Sequence, residues 1–598
     1  MCTAALATAS LAQGSKPAAA APSKQAPAAK PTESAPAPER VQTHFEAAET
    51  FQIAGDLDKA ATEYRKGISV ALRQLGNLRI SKDDFEPGLK LLQDAVDADP
   101  TNTAAHVDLG VGYFRAGEYN KAKESVEGVL KSDPYNFDAR NLVGKSDFMQ
   151  GDFAGASTEL QTAISITPDF DVAYSLALAY LEQKKLSQAT PLFDEMKASG
   201  GKTPELHLLL GRAYAQTGYP DLAIGEFQQT LKLDPTHAHV HAYLGMTYLQ
   251  MGKEHYEEAR QEFQQELTRF PHDYNSHYSL GVIDQEQGKL AQAETELQEA
   301  HRANPSDPGP LLMLTRVYND EKKWPSAIAH AQQVMPMLTG APASQRALAH
   351  ELLAKAYSGN GQATEAAQEN AAAERAKSEE KSAASVGASP SQTAEGAREM
   401  REMLMQRKSA AQPSTEAEKK FVADVSKLLG NAYNNLGVID ARANNFTAAA
   451  EEFKQASRWD PSIPQVDRNL AMASFRAQKY DDAAPALARL LQQSPGDERV
   501  RGMLGLSYYM TKQFKQSADT FRPILNSLPD NAGLLMSAGI AFVKAGDTAT
   551  GQQLLDRALK TGSNTAEVHV MLGQAYAQQD DEKQALAEFK RALEIDPK

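Results

Sequence analysis

The stretch Ala566–Lys598 reads AEVHVMLGQAYAQQDDEKQALAEFKRALEIDPK. Leu572, Gly573 and Tyr576 mark a first helix, Ala585, Phe589 and Ala592 mark a second, and Pro597 is a stop. Shifting this frame toward the N-terminus in steps of 34 residues finds the same marks again and again. Self-similarity at such a period signals a repeat architecture, in which each unit buries its apolar face only against its neighbours.

Working outward, a degenerate unit runs from Val41 to about Gly67 with Ala48, Phe51, Ala60 and Tyr64, and a closely spaced one follows with Leu75, Gly76, Leu92, Ala95 and Pro100. The interval between them is too short for a turn, which predicts one long helix, about Leu57 to Ile80, shared by both. Regular helix-turn-helix units are expected from Thr103, Phe137, Phe170, Pro204, Ala238, Tyr274, Pro308 and Ala347. Ala116-Gly117-Glu118, Gln150-Gly151-Asp152, Thr217-Gly218-Tyr219 and Gln287-Gly288-Lys289 place a glycine where a first helix must end. Pro100, Pro134, Pro168, Pro235, Pro271 and Pro305 close second helices, because proline lacks the amide that the next turn needs. Two extra residues around Glu254-His255 predict a longer turn. Ten units carry a glycine inside the first helix (Gly76, Gly110, Gly144, Gly211, Gly245, Gly281, Gly437, Gly505, Gly539 and Gly573). A mid-helix glycine costs about 1 kcal/mol against alanine, so a close approach of the second helix, with a ring such as Phe227, Phe453 or Phe589 packed on it, is expected to offset the loss.

This pattern resembles the tetratricopeptide repeat family over about 41–375 and 430–598, some fifteen units. The resemblance implies an all-α, right-handed superhelical solenoid in two blocks: ten repeats in 41–375 and five in 430–598. Residues 376–429 are expected to link them, starting with the small, polar KSEEKSAASVGASPSQ. Within that linker Met400, Met403 and Leu404 have helical spacing, and Phe421, Val425 and Leu428 predict a helix leading into the second block. At the N-terminus, Met1–Ala12 is small and apolar and ends in Ser10-Leu11-Ala12, which reads as the back half of a signal peptide. Residues 13–40 form an Ala/Pro-rich spacer. Together they point to an exported, periplasmic protein, with a cytoplasmic one as the alternative.

A net charge of -15 and a pI near 5.5, with no Lys/Arg run, argue against nucleic acid as a partner. No stretch approaches the roughly 18 apolar residues of a membrane span. The one cysteine, Cys2, excludes an internal disulfide, a thiolate zinc site and a CxxC pair. Fragments that mimic catalytic motifs are incomplete. Gly201-Lys202-Thr203 and Gly144-Lys145-Ser146 have Met196 and Ala139 where a phosphate-binding loop needs its earlier glycine. His350-Glu351 has Ala354 in place of the second histidine of a zinc-protease helix, and Gly505-Leu506-Ser507 meets Tyr509 where a nucleophile elbow closes on glycine. No enzyme activity and no cofactor are expected.

His237, His239 and His241 invite a metal reading, with His237 and His241 one turn apart. Yet His106, His207, His241, His277, His350 and His569 share the fourth place of their units, so a recurring packing role is preferred and no metal is expected. The resemblance implies that first helices line a concave face. The residues beside the packing positions are Val107, Val111, Phe114, Asn141, Phe148, Met149, Tyr174, Leu178, Tyr278, Met472, Phe475, Leu506, Tyr509, Met510, Met536 and Ile540. This apolar, methionine-containing set suits an extended peptide or a partner helix. The family's carboxylate clamp, which needs a Lys and Asn pair on the first helix, is not carried over because no unit has that asparagine. The expected function is a non-enzymatic scaffold for protein or peptide partners, with a periplasmic assembly component of an export, polysaccharide or pilus machine as the alternative. Leu586, Leu593 and Ile595 would face a following helix, and they predict self-association or partner docking at that edge.

Overall fold

The computed structural model describes residues 38–384 and 415–597. The expected leader, nearly all of the spacer, and Met400, Met403 and Leu404 lie outside the described residues. Among the described residues there are 29 α-helices and no strand, arranged as successive antiparallel pairs. The first begins at Pro38, inside the expected spacer, and the second runs over Leu57–Ile80, the shared helix that the spacing predicts.

Local chemistry sets the boundaries. Asn102, Asn136, Asp273 and Asp581 each accept a hydrogen bond from the amide three residues on, which satisfies an otherwise orphaned donor of the helix start. Gly151 ends its helix at φ 81°, while Lys184 does the same at φ 61° and pays the Cβ strain that glycine avoids. First helices start at Thr103, Phe137, Phe170, Pro204 and Tyr274 as read, and at Val240, Gly309 and Ala343 in the three units where the reading had Ala238, Pro308 and Ala347. The two-residue insertion forms a 3-10 turn, Lys253–His255.

Within each pair the glycines sit where the helices touch. At Gly76, Gly144, Gly211, Gly245, Gly281, Gly437, Gly505, Gly539 and Gly573 an added Cβ would lie 2.5–2.7 Å from a Leu or Phe of the second helix. Phe227 is fully buried against Gly211 and stacks on Tyr243 at 5.7 Å.

The helices group into two compact units. One unit, described over 117–384, contains cores built around Phe193 and Phe227, around Phe263, and around Leu314 and Val317. The other joins 38–116 to 415–597. Thr415–Arg442 is a single helix that carries Phe421, Val425 and Leu428 into the second block, and Ala363–Ala384 runs past 375. Val425, Leu429, Ala432, Leu436 and Ile439 line one stripe of Thr415–Arg442 and share a core with Tyr64, Ile68, Leu72 and Leu75. Asn435 Nδ2 donates to Tyr64 Oη at 2.8 Å, and Lys82 pairs with Glu418. No helix among the described residues is long and apolar enough to cross a membrane.

Candidate functional site

Repeat regularity in the second unit is interrupted between 510 and 532. The second helix Tyr480–Gln493 has 14 residues, whereas its successor Phe514–Phe521 has 8 and gives way to a 3-10 turn, Arg522–Ile524. Pro523 removes the amide that would continue the α-helical ladder. The chain then loops to Asn531, whose side chain caps the next helix through the Leu534 amide at 3.0 Å. Arg557 pins this loop, donating from Nη2 to the Leu528 carbonyl at 3.0 Å and to Asp530 at 2.7 Å.

The result is a cleft of about 650 Å³. Glu498, Arg499, Gly502, Met503 and Leu506, one face of the helix Glu498–Met510, form its floor. Phe475 closes one end, and Ile524, Leu528, Pro529 and Leu534 form the facing wall. A Cβ at Gly502 would meet nothing within 4 Å, so the backbone there is open to the cleft. Glu498 and Arg499 stand exposed at the rim. An apolar trough with one charge of each sign at its edge can hold alternate side chains of an extended segment and fix its register.

Of the groove residues read from the sequence, Phe475 and Leu506 line this cleft. Met472, Tyr509 and Met536 are partly exposed and Met510 is 48% exposed, all in the same unit. Val107 and Val111, also in that unit, are partly exposed, as are Asn141, Met149 and Tyr278 in the other. Tyr278 stacks on Tyr274 at 5.8 Å, and burial, helped by the nearby Asp307 charge, pushes its phenol up to about 12. Five residues are corrected from groove to core: Phe114, Phe148, Tyr174, Leu178 and Ile540 are at most 6% exposed. Phe148 is held edge-on by Phe153 at 5.1 Å, Tyr174 faces Phe193 at 6.2 Å, and Ile540 packs with Leu555 and Val568. The reading missed Met503, Leu528 and Leu534; Met503, three before Leu506 on the same helix, was the legible one. At the last helix pair Leu586 and Leu593 are 56% and 60% exposed, and Ile595 is exposed beside them.

The histidines have a more specific role than packing. His44, His207, His277, His350 and His569 each place Nδ1 2.5–2.7 Å from a glutamate 19 residues on, namely Glu63, Glu226, Glu296, Glu369 and Glu588. His241 reaches Glu262 at 2.6 Å, the interval lengthened to 21 by the insertion. Each pair clamps the first helix of a unit to its second. His106 has Ser125 in place of that glutamate, and its Nε2 meets the Pro100 carbonyl at 3.0 Å, as His277 Nε2 meets that of Pro271. His237 and His241 do not converge, since His237 Nδ1 lies against the Ala238 carbonyl. It is His239 that meets carboxylates, those of Glu266 and Asp273. The Glu266 carboxylate outweighs burial and raises the His239 imidazole pKa above its ordinary value.

Comparison with known proteins places these features. Two sequence profiles described as tetratricopeptide repeat match the chain, one over 174–238, 244–308, 434–498 and 536–598, the other over 80–146 and 474–537. The TPR repeat-containing protein YpiA of Bacillus subtilis (strain 168) is 22% identical over 182 residues, which cover 29% of this chain and 43% of that protein. The DnaJ homolog subfamily C member 3 of Gallus gallus is 24% identical over 210 residues, 35% of either chain. The chain thus spans less than half the length of the curated relatives it matches. Among solved structures, a tetratricopeptide repeat protein from Parabacteroides merdae ATCC 43184 aligns with a TM-score of 0.34 at 18% identity, covering 42% of this chain and 98% of its own. A MamA structure (MSR-1) aligns with a TM-score of 0.25 at 23% identity, covering 28% and 97%.

Proposed function

From the premise that the chain belongs to the tetratricopeptide repeat family, we propose that this protein-interaction scaffold binds an extended, apolar peptide segment of a partner in the cleft bounded by Phe475, Met503, Leu506 and Leu528. The observation that carries this reading is Gly502. Nine mid-helix glycines are each filled by a side chain of the paired helix, whereas the space over Gly502 opens into the cleft. Methionine and leucine around a bare backbone accept apolar side chains of differing shape, because the unbranched thioether repacks at little cost. Glu498 and Arg499 at the rim supply direction.

The test is direct. Peptides selected from a displayed library on the full chain are measured by fluorescence anisotropy against wild type and Gly502→Leu. The substituted Cβ meets nothing within 4 Å and the side chain fills the cleft, so binding falls at least tenfold, about 1.4 kcal/mol, while the melting curve is kept or moves up with the gain in helix propensity. Equal affinity for both proteins would remove the cleft from the function.

A further inference from the structure

We propose that His239, Glu266 and Asp273 form a binding site for a divalent first-row transition-metal ion. The three residues come from three successive elements of the 117–384 unit. His239 ends the turn before the helix Val240–Met251, Glu266 lies on the helix Tyr256–Arg269, and Asp273 caps the helix Tyr274–Glu286. One ligand atom from each lies within 4.8 Å of the other two.

Each carboxylate is anchored by one oxygen and presents the other. Glu266 Oε2 accepts from the Ala242 amide at 3.3 Å, and Asp273 Oδ2 accepts from the Ser276 amide at 2.7 Å. Glu266 Oε1 and Asp273 Oδ1 then lie 2.9 Å and 4.0 Å from His239 Nδ1. Backbone amides thus play the outer-shell part that orients metal ligands. The imidazole is fixed in turn by stacking on Phe270 at 4.6 Å.

Glu266 is 2% exposed, and its Oε1 lies 2.9 Å from His239 Nδ1. A tetrahedral zinc with bonds of about 2.0–2.2 Å holds its ligand atoms roughly 3.4 Å apart, and the two observed separations bracket that spacing. The nearby cation, Arg269, is turned away: its guanidinium donates to the Thr236 carbonyl and lies over Phe270. Two carboxylates in a largely dehydrated place call for compensating positive charge, which a divalent ion supplies when it takes the place of the imidazole proton. One nitrogen and two oxygens suit zinc and its first-row neighbours. The His239 and Asp273 side chains keep 20% and 13% exposure, which leaves an open side for water ligands.

The experiment is calorimetric titration of the chelator-treated full chain with zinc alone, repeated on His239→Asn and Asp273→Asn. Asparagine tolerates the left-handed backbone of residue 239, at φ 64°, and still caps a helix at 273, so both variants keep the fold. Wild type binds at micromolar zinc, and each variant loses at least the 10–100-fold in affinity that even outer-shell changes cost. Zinc raises the melting temperature of wild type and not of the variants. Absence of saturable binding, unchanged affinity in either variant, or loss on His237→Asn with His239→Asn unaffected would each overturn the site.

Discussion

Two glycines three residues apart on one helix make the packing argument quantitative. At Gly505 an added Cβ would lie 2.7 Å from three atoms of the Phe521 ring, whereas at Gly502 it would meet nothing within 4 Å. Phe521 is fully buried, so its ring has no solvent to swing into. Gly→Ala gains about 1 kcal/mol of helix propensity at either place. At 505 the forced displacement of a core ring costs about 1–3 kcal/mol. Gly502→Ala therefore stabilises by about 1 kcal/mol, and Gly505→Ala ranges from neutral to destabilising by about 2 kcal/mol. The propensity term cancels in the difference, leaving about 1–3 kcal/mol for the close approach alone. Urea titrations followed by circular dichroism at 222 nm read this as midpoints moving in opposite directions around wild type at unchanged slope. A stabilisation of Gly505→Ala equal to that of Gly502→Ala would refute the claim that helix contact is what keeps glycine there.

Two further outcomes follow from the histidine clamps and the last helix. Burial lowers the His277 imidazole pKa, but the Glu296 carboxylate at 2.6 Å and the Pro271 carbonyl at 3.0 Å prevail and leave it raised above 6.5. The folded state then holds this proton more tightly than the unfolded chain, so the contribution is complete below pH 6.5 and is lost as the pH rises through the folded value. The urea midpoint of the wild type accordingly declines above pH 6.5 more steeply than that of Glu296→Gln, which itself costs about 1–3 kcal/mol at low pH; parallel pH profiles would refute the clamp. At the last helix, Leu586 and Leu593 expose an apolar stripe, and light scattering is expected to show concentration-dependent association that Leu586→Glu with Leu593→Glu abolishes. A wild-type mass that stays monomeric at all concentrations would remove that edge as a self-contact.

What the sequence makes legible is contact within a pair. The glycine of a first helix and the Leu or Phe usually 16 residues later, as in Gly573 and Phe589, are fixed by the length of one hairpin, so their register survives every other variation. The helix Leu57–Ile80 was readable for the same reason, since no turn fits in its interval. Facing is harder. Phe170–Glu182 reads FDVAYSLALAYLE, with residues from Val172 to Ala179 and Leu181 all buried. A helix apolar all round gives no period from which to tell groove from core, and Tyr174 and Leu178 were misplaced on that account. The cleft was hidden for another reason: it is made by a missing piece of helix at Pro523, a shortening that recurs at Pro336, where Trp324–Val334 gives way to the 3-10 turn Met335–Leu338.

Contact between pairs is degenerate, and there order in sequence misleads. Any unit presents small and aliphatic residues to its neighbour, so a stripe such as Val425, Leu429, Ala432, Leu436 and Ile439 accepts whichever first unit reaches it. The partner it takes is the N-terminal hairpin more than 350 residues earlier, and the specific element of that choice is polar: Tyr64 Oη donates to Gln52 at 2.9 Å and accepts from Asn435 at 2.8 Å while only 1% of the tyrosine is exposed. A buried hydroxyl satisfied from both pieces disfavours any other neighbour, which would lose the hydrogen bond that it accepts from Asn435, worth about 0.5–1.5 kcal/mol. The apolar stripe thus supplies adhesion and the Gln52-Tyr64-Asn435 chain supplies identity.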